Sequence, residues 1–244
     1  MQYNIKNKAR HLIFYSTIIL GFLLILTGCP TPPEFDEVPI IQFQDVQVGQ
    51  RTDTSSSGQP LNQDVISLTI TFEDGDGNLG LGSNELGPPY QLFDIPLDEN
   101  GELIKFGSNP NLPPYNFYDY FIVEDSLEIN NTILVDDTLF VLFNERHFNI
   151  YVNFFYQEPG EEFKQFEWGR TSPFYQPFHG RFPMLNTEDY DRPLNGSLTY
   201  DVVSTGFGRT FLDYPMYIET YIIDRAGNKS NVVRTETFRF LNPG

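Results

Sequence analysis

The sequence predicts an all-β fold, an antiparallel sandwich with long loop insertions, on three observations. Short apolar runs repeat with a period of two, which sets one row of side chains against a core and the next toward water. Clusters of Gly, Pro, Asn and Asp separate these runs, and no stretch holds helical periodicity for three turns. The 244 residues include 23 Phe and 14 Tyr, so the chain has the large apolar groups to fold despite a net charge of −18; disordered segments are poor in them.

Along the chain the first element is a leader. Lys6, Lys8 and Arg10 precede an apolar run from Leu12 to Leu26, broken only by Ser16, Thr17 and Gly21, and the run ends in Leu26-Thr27-Gly28-Cys29. That charge order and length predict a cleaved signal peptide over residues 1–28. A spanning helix needs about 20 apolar residues, and this run is shorter. Leu26-Thr27-Gly28-Cys29 resembles the lipobox of bacterial lipoproteins, Leu-(Ala/Ser/Thr)-(Gly/Ala)-Cys. The resemblance implies that the Cys29 thiol carries acyl chains such as palmitate and becomes the first mature residue. Cys29 is the only cysteine, so no internal disulfide can form. Each buried methylene of an acyl chain contributes roughly 0.8 kcal/mol, enough in sum to hold a folded domain on a membrane.

Residues 29–37 follow as lipidated cysteine and tether, where Pro30, Pro32 and Pro33 favour extended, solvated chain. Glu34, Asp36 and Glu37 resemble the acidic patch behind the cysteine of surface-exported Bacteroidota lipoproteins. This implies an outer-membrane location, with the cell surface favoured over the periplasmic face. Loss of the leader removes three basic residues and no acids, taking the net charge from −18 to −21. Binding to nucleic acid depends on Lys and Arg clusters, so this balance argues against it. Calcium, basic proteins and neutral sugars fit such a surface better.

Residues 38–244 read as one elaborated domain, with two modules split near 158–162 as the alternative. Strands are expected over 39–48, 64–73, 118–123, 138–143, 149–156, 197–204, 216–223 and 232–240. In the second of these, Ile66, Leu68, Ile70 and Phe72 alternate with Ser67, Thr69 and Thr71. In the closing hairpin, Tyr217, Glu219, Tyr221 and Ile223 alternate, Asp224 to Ser230 turns, and 232–240 returns; Asp and Asn bond their own backbone in such turns. Asp-x-x-Gly-Asn-x-Ser at this place resembles the last hairpin of Ig-like and fibronectin-III-like bacterial modules, which implies an Ig-like sandwich. Two irregular stretches, 80–116 and 169–195, are where such a body would grip a partner.

Asp74-Gly75-Asp76-Gly77-Asn78-Leu79-Gly80 ends the second strand with oxygen side chains at alternate positions, an arrangement that suits calcium. Counting Asp74 as position one, Glu85 stands at twelve, where an EF-hand places its bidentate carboxylate. The glycine stands at seven and not six, and no flanking helices are expected, so an EF-hand is not the reading. The segment reads first as a glycine-rich turn capped by its own Asx side chains, with a β-loop calcium site from Asp74, Asp76, Asn78 and Glu85 as the candidate beside it; no other cofactor is required. The segment Phe72 to Gly80, the lipobox and Gly180-Arg181-Phe182-Pro183 together resemble Bacteroidota lipoproteins with an Ig-like body. Asp125-Ser126-Leu127 and Asp137-Thr138-Leu139 resemble Asp-(Ser/Thr)-apolar O-glycosylation sites of that phylum. This implies modification at Ser126 and Thr138, with strand-edge turns as the alternative.

Motifs for catalysis are missing: no Gly-x-Ser-x-Gly elbow, no His-Glu-x-x-His, no Cys/His cluster and no phosphate loop. After the leader only His147 and His179 remain. Trp168, Tyr175 and Phe178 are candidate contacts for a ligand or partner, with core filling as the alternative for Trp168. The expected function is that of a non-enzymatic, membrane-anchored envelope lipoprotein, an accessory or binding subunit contacting an outer-membrane protein complex. Alternatives are a surface glycan-binding module and a carboxylate-dependent glycoside hydrolase, for which two suitably spaced acids would suffice.

Overall fold

The alternation at 66–72 becomes the middle of a sheet. The computed structural model describes residues 34–129, 132–170, 177–186, 192–211 and 213–240. Among them the strands are β1 (Ile40–Thr54), β2 (Pro60–Asp74), β3 (Phe93–Asp94), β4 (Tyr120–Ile129), β5 (Thr132–Phe140), β6 (Leu142–Phe143), β7 (Ile150–Tyr156), β8 (Lys164–Phe166), β9 (Leu194–Ser204), β10 (Pro215–Ile222), β11 (Val233–Arg234) and β12 (Phe238–Arg239). A short helix, α1 (Phe207–Phe211), joins β9 to β10. The expected leader 1–28, the expected lipidation site Cys29 and Tyr175 lie outside the described residues.

β2 lies between β1 and β9, antiparallel to both. Its inward row Ile66, Leu68, Ile70 and Phe72 is buried. Its outward row bonds across the ladder: Ser67 donates to Asp201 at 2.6 Å, and Thr69 and Thr199 share a hydrogen bond at 2.9 Å. Such opposed pairs fix register as well as adding stability. The second sheet runs β11-β10-β7-β8, with β12 also on β10. Ile150, Val152 and Phe154 of β7 and Met216, Ile218 and Ile222 of β10 face inward. On the outer face Tyr151 stacks on Tyr221 and Phe155 on Tyr217, both with ring centroids 4.7 Å apart. Lys229 lies 3.6 Å above Tyr221 and Arg234 3.4 Å above Tyr217.

The two inner faces share one core, completed by Leu79, Trp168, Phe182, Phe207, Phe211 and Phe240. A fully buried Ile, Leu or Phe contributes roughly 1.5–3 kcal/mol, so this cluster is the main source of cohesion in an otherwise acidic chain. The architecture is thus an all-β, antiparallel sandwich. Phe35–Gly244 forms one compact unit, and β7 pairs with β8 across residues 158–162, where a split was the alternative.

Six of the eight expected strands are present with altered bounds, while 138–143 divides between the end of β5 and β6. β1 and β2 extend as a polar ribbon to a turn at Ser55–Gln59, because ladder hydrogen bonds satisfy the backbone there without an apolar row. The run 232–240 is broken: Thr235 exchanges hydrogen bonds with Ile218 through its N–H and its hydroxyl, which divides β11 from β12. The stretch 80–116 holds β3, which pairs with β6, and β4 pairs with β5 as a separate ribbon with its own small core of Val123, Leu134, Leu139 and Val141. Among the described residues no helix is long and apolar enough to cross a membrane.

Candidate functional site

The Asp74–Gly80 loop leaves the core end of β2 through a crowded space. Gly75 donates its N–H to the Asp36 carbonyl at 2.8 Å, and a Cβ there would overlap the Phe35 and Asp36 backbone. Gly77 has φ +68°, and a Cβ would overlap the Arg192 carbonyl. Leu79 and Leu81 are buried and bond to Leu185 and Phe182. The glycines therefore let this loop thread between three neighbouring backbones while its two leucines pin it to the core.

The loop brings two acids together, and the fold supplies a third. Asp74, Asp76 and Asp224 each offer a carboxylate oxygen, all within 4.8 Å of one another. Asp74 is fully buried, at 0% exposure. Its Oδ2 accepts from the Asn78 N–H at 3.0 Å, and Asp76 Oδ2 accepts from the Asn78 amide at 2.6 Å. Asp74 Oδ1 and Asp76 Oδ1 are buried without a hydrogen-bond donor. Asp224 shapes its own turn, its Oδ1 accepting from the N–H groups of Gly227 and Asn228 at 2.7 Å. Burial, then the charges of Asp76 and Asp224, push Asp74 up to about 7. Asp76 is raised too, first by burial and further by Asp224 and Glu37.

Of the other two residues expected in this set, Glu85 pairs with Arg225, whereas Asn78 stays beside the two aspartates. Glu85 is gripped by the Arg225 guanidinium at 2.7 and 2.8 Å, and that pairing holds its carboxyl down at about 2. Asn78 gives its amide to Asp76, while its oxygen faces the Arg225 N–H at 3.4 Å. The Glu85 carboxylate is not among the oxygens gathered within 4.8 Å, and its partner is a bidentate guanidinium, a strong match for a carboxylate. Asp224 was read only as a turn residue, since its approach to Asp74 follows from β10 packing and not from any local motif.

Arginines fasten the segment after this loop. Arg181 Nη1 donates to the carbonyls of Gly82 and Glu85 at 3.1 and 2.9 Å, Nη2 donates to Tyr90 at 3.0 Å, and Nε donates to the His147 carbonyl. Its Nη2 also lies 2.9 Å from His147 Nδ1. The same Nδ1 lies 2.9 Å from the Tyr90 carbonyl, so it sits between one donor and one acceptor. Burial lowers the His147 pKa, and Arg181 lowers it further.

A second feature is an open groove of about 330 Å³ on the outer face of the β7–β10 sheet. Tyr118, Phe143, Tyr151 and Tyr221 line it, with Asp119, Glu145, Glu167, Arg170 and His179. Arg170 donates to Asp119 at 2.7 Å. His179 Nδ1 accepts from the Val152 N–H at 3.1 Å, and burial pushes its pKa down to about 4. The neutral ring thus carries its proton on Nε2, which lies 3.3 Å from the Tyr118 hydroxyl. Burial, then Glu167, pushes that phenol up to about 12.

Of the expected contact residues, Trp168 is 5% exposed and packs among Phe154, Phe166, Phe178, Phe207 and Phe211. This corrects the contact assignment in favour of core filling, because an indole this large gains more from the sandwich interior than from water. Phe178 is partly buried against the same cluster. Ser126 is exposed at the β4 bulge after Asp125, whose φ is +62°. Thr138 is half-buried beside the Lys105–Asp137 ion pair. No family model, curated protein or solved structure matches this chain.

Proposed function

We propose that this chain is a non-enzymatic, lipid-anchored envelope protein of the Bacteroidota lipoprotein type, an accessory subunit that docks onto an outer-membrane protein complex. The observation that carries the docking role is the β4–β5 ribbon, which leaves Ile133 71% and Val135 62% exposed on a hairpin outside both main sheets. Apolar groups exposed two residues apart on one strand favour a protein partner. The anchor rests on the Leu26–Cys29 lipobox. Both histidines outside the leader are held by backbone or arginine contacts, His179 through the Val152 N–H and His147 against Arg181, which supports a binding rather than a catalytic reading. Affinity purification of the lipidated chain from its native membrane, after crosslinking, tests the proposal. Stoichiometric recovery of an envelope protein, lost on Ile133→Ser with Val135→Ser, supports it; repeated recovery of the lipoprotein alone sinks it.

A second reading, a glycan-binding surface module, is favoured by the groove, whose rim carries three carboxylates and the Tyr118 hydroxyl. Its ring faces are less suited: Tyr221 is covered by Tyr151 on stacking and by Lys229. Binding to a polysaccharide panel that disappears on Tyr118→Phe would favour this reading over docking.

A further inference from the structure

We propose that Asp74, Asp76 and Asp224 hold a hard divalent cation of the calcium class, fastening the loop after β2 to the turn after β10. Three oxygens within 4.8 Å of one another can be reached by one ion at calcium–oxygen distances of about 2.3–2.6 Å. Independently of that spacing, Asp74 is fully buried, and its Oδ1 has no donor. Asp76 Oδ1 is in the same condition. Buried acceptors are nearly always satisfied, and an orphaned carboxylate oxygen is especially costly. A cation bound between them satisfies both at once.

The neighbouring groups do not supply that compensation. Arg225, beside Asp224 in sequence, sends its guanidinium to Glu85. Asn78 donates to the other oxygen of each aspartate, leaving both Oδ1 atoms open. Asp224 is likewise oriented in advance by the N–H groups of its own turn. The ligands are all carboxylate oxygens, carried by two elements 148 positions apart in the chain. Such a set can adjust its geometry, which suits calcium; magnesium demands a near-ideal octahedron. The ion would link the second strand's exit to the closing hairpin, a connection between distant segments that no backbone ladder makes.

The test uses the full chain, purified in mild detergent and stripped with chelator. Calorimetric titration with calcium chloride should give one site per chain, with Kd in the range of about 10⁻⁵ to 10⁻³ M. Calcium at ten times Kd should raise the melting temperature by about 3–5 °C. Asp76→Asn and Asp224→Asn should each remove the rise, whereas Glu85→Gln should keep it. No binding heat and no thermal shift with calcium would overturn the assignment. So would a shift that survives Asp224→Asn but vanishes in Glu85→Gln. If Asp224→Asn does not fold, the titration of the unaltered chain decides alone: one site upholds the proposal and none refutes it.

Discussion

Gly77 combines a left-handed backbone at φ +68° with a neighbour that leaves no room for a Cβ. A non-glycine residue in that conformation costs roughly 1–2 kcal/mol before any overlap is counted. Gly77→Ala should therefore lower stability by at least about that amount, read from urea unfolding midpoints, while Gly58→Ala at the exposed β1–β2 turn, with nothing near its Cβ, should lose only the conformational part. Glu85 makes a pH prediction. Its folded pKa of about 2 lies below the ordinary 4.5, so the Arg225 pairing stabilises the fold above about 4.5 and is lost as pH falls toward 2. The group is partly exposed, so solvent screens the effect. Glu85→Gln should flatten the decline in melting temperature between pH 4.5 and 2.5; an unchanged slope would show that the pair contributes nothing.

Among elements, the aromatic core and the β4–β5 ribbon behave oppositely under substitution. Trp168→Ala removes the centre of a cluster of five phenylalanines and should cost roughly 3–5 kcal/mol. Ile133→Ser on the ribbon should change stability by about 0.5 kcal/mol or less, since the side chain already meets water. Thermal melts of the two variants distinguish a core from a display surface. The Tyr151–Tyr221 and Phe155–Tyr217 stacks give the outer face of the second sheet a register lock that a polar face would lack.

For the whole molecule, anchoring and folding should separate. Cys29→Ser should abolish incorporation of labelled palmitate and release the chain from sedimenting membranes, with no change in melting temperature beyond that of lost lipid. Persistent sedimentation after washing with high salt would exclude the lipid as the anchor. The net charge of −18 predicts that basic partners bind faster at low ionic strength than at high.

The class of fold, most of the longer strands and the closing turn were legible in the sequence, while β3, β8 and most of β5 were not. Alternation such as Ile66 to Phe72 is a local property: each side chain's face follows from the pleat and needs no knowledge of the partner strand. Turn chemistry at Asp224–Asn228 is local for the same reason. Which distant segments meet follows from the packing of the sheets. Asp224 reaches Asp74, Arg225 takes Glu85 from the loop where counting had placed it, and Arg181 collects carbonyls from 82 to 147. Trp168 turns inward on the same grounds, into the cluster that the two packed sheets enclose. Such contacts depend on sheet register and packing summed over the whole chain, and no short window of residues encodes them.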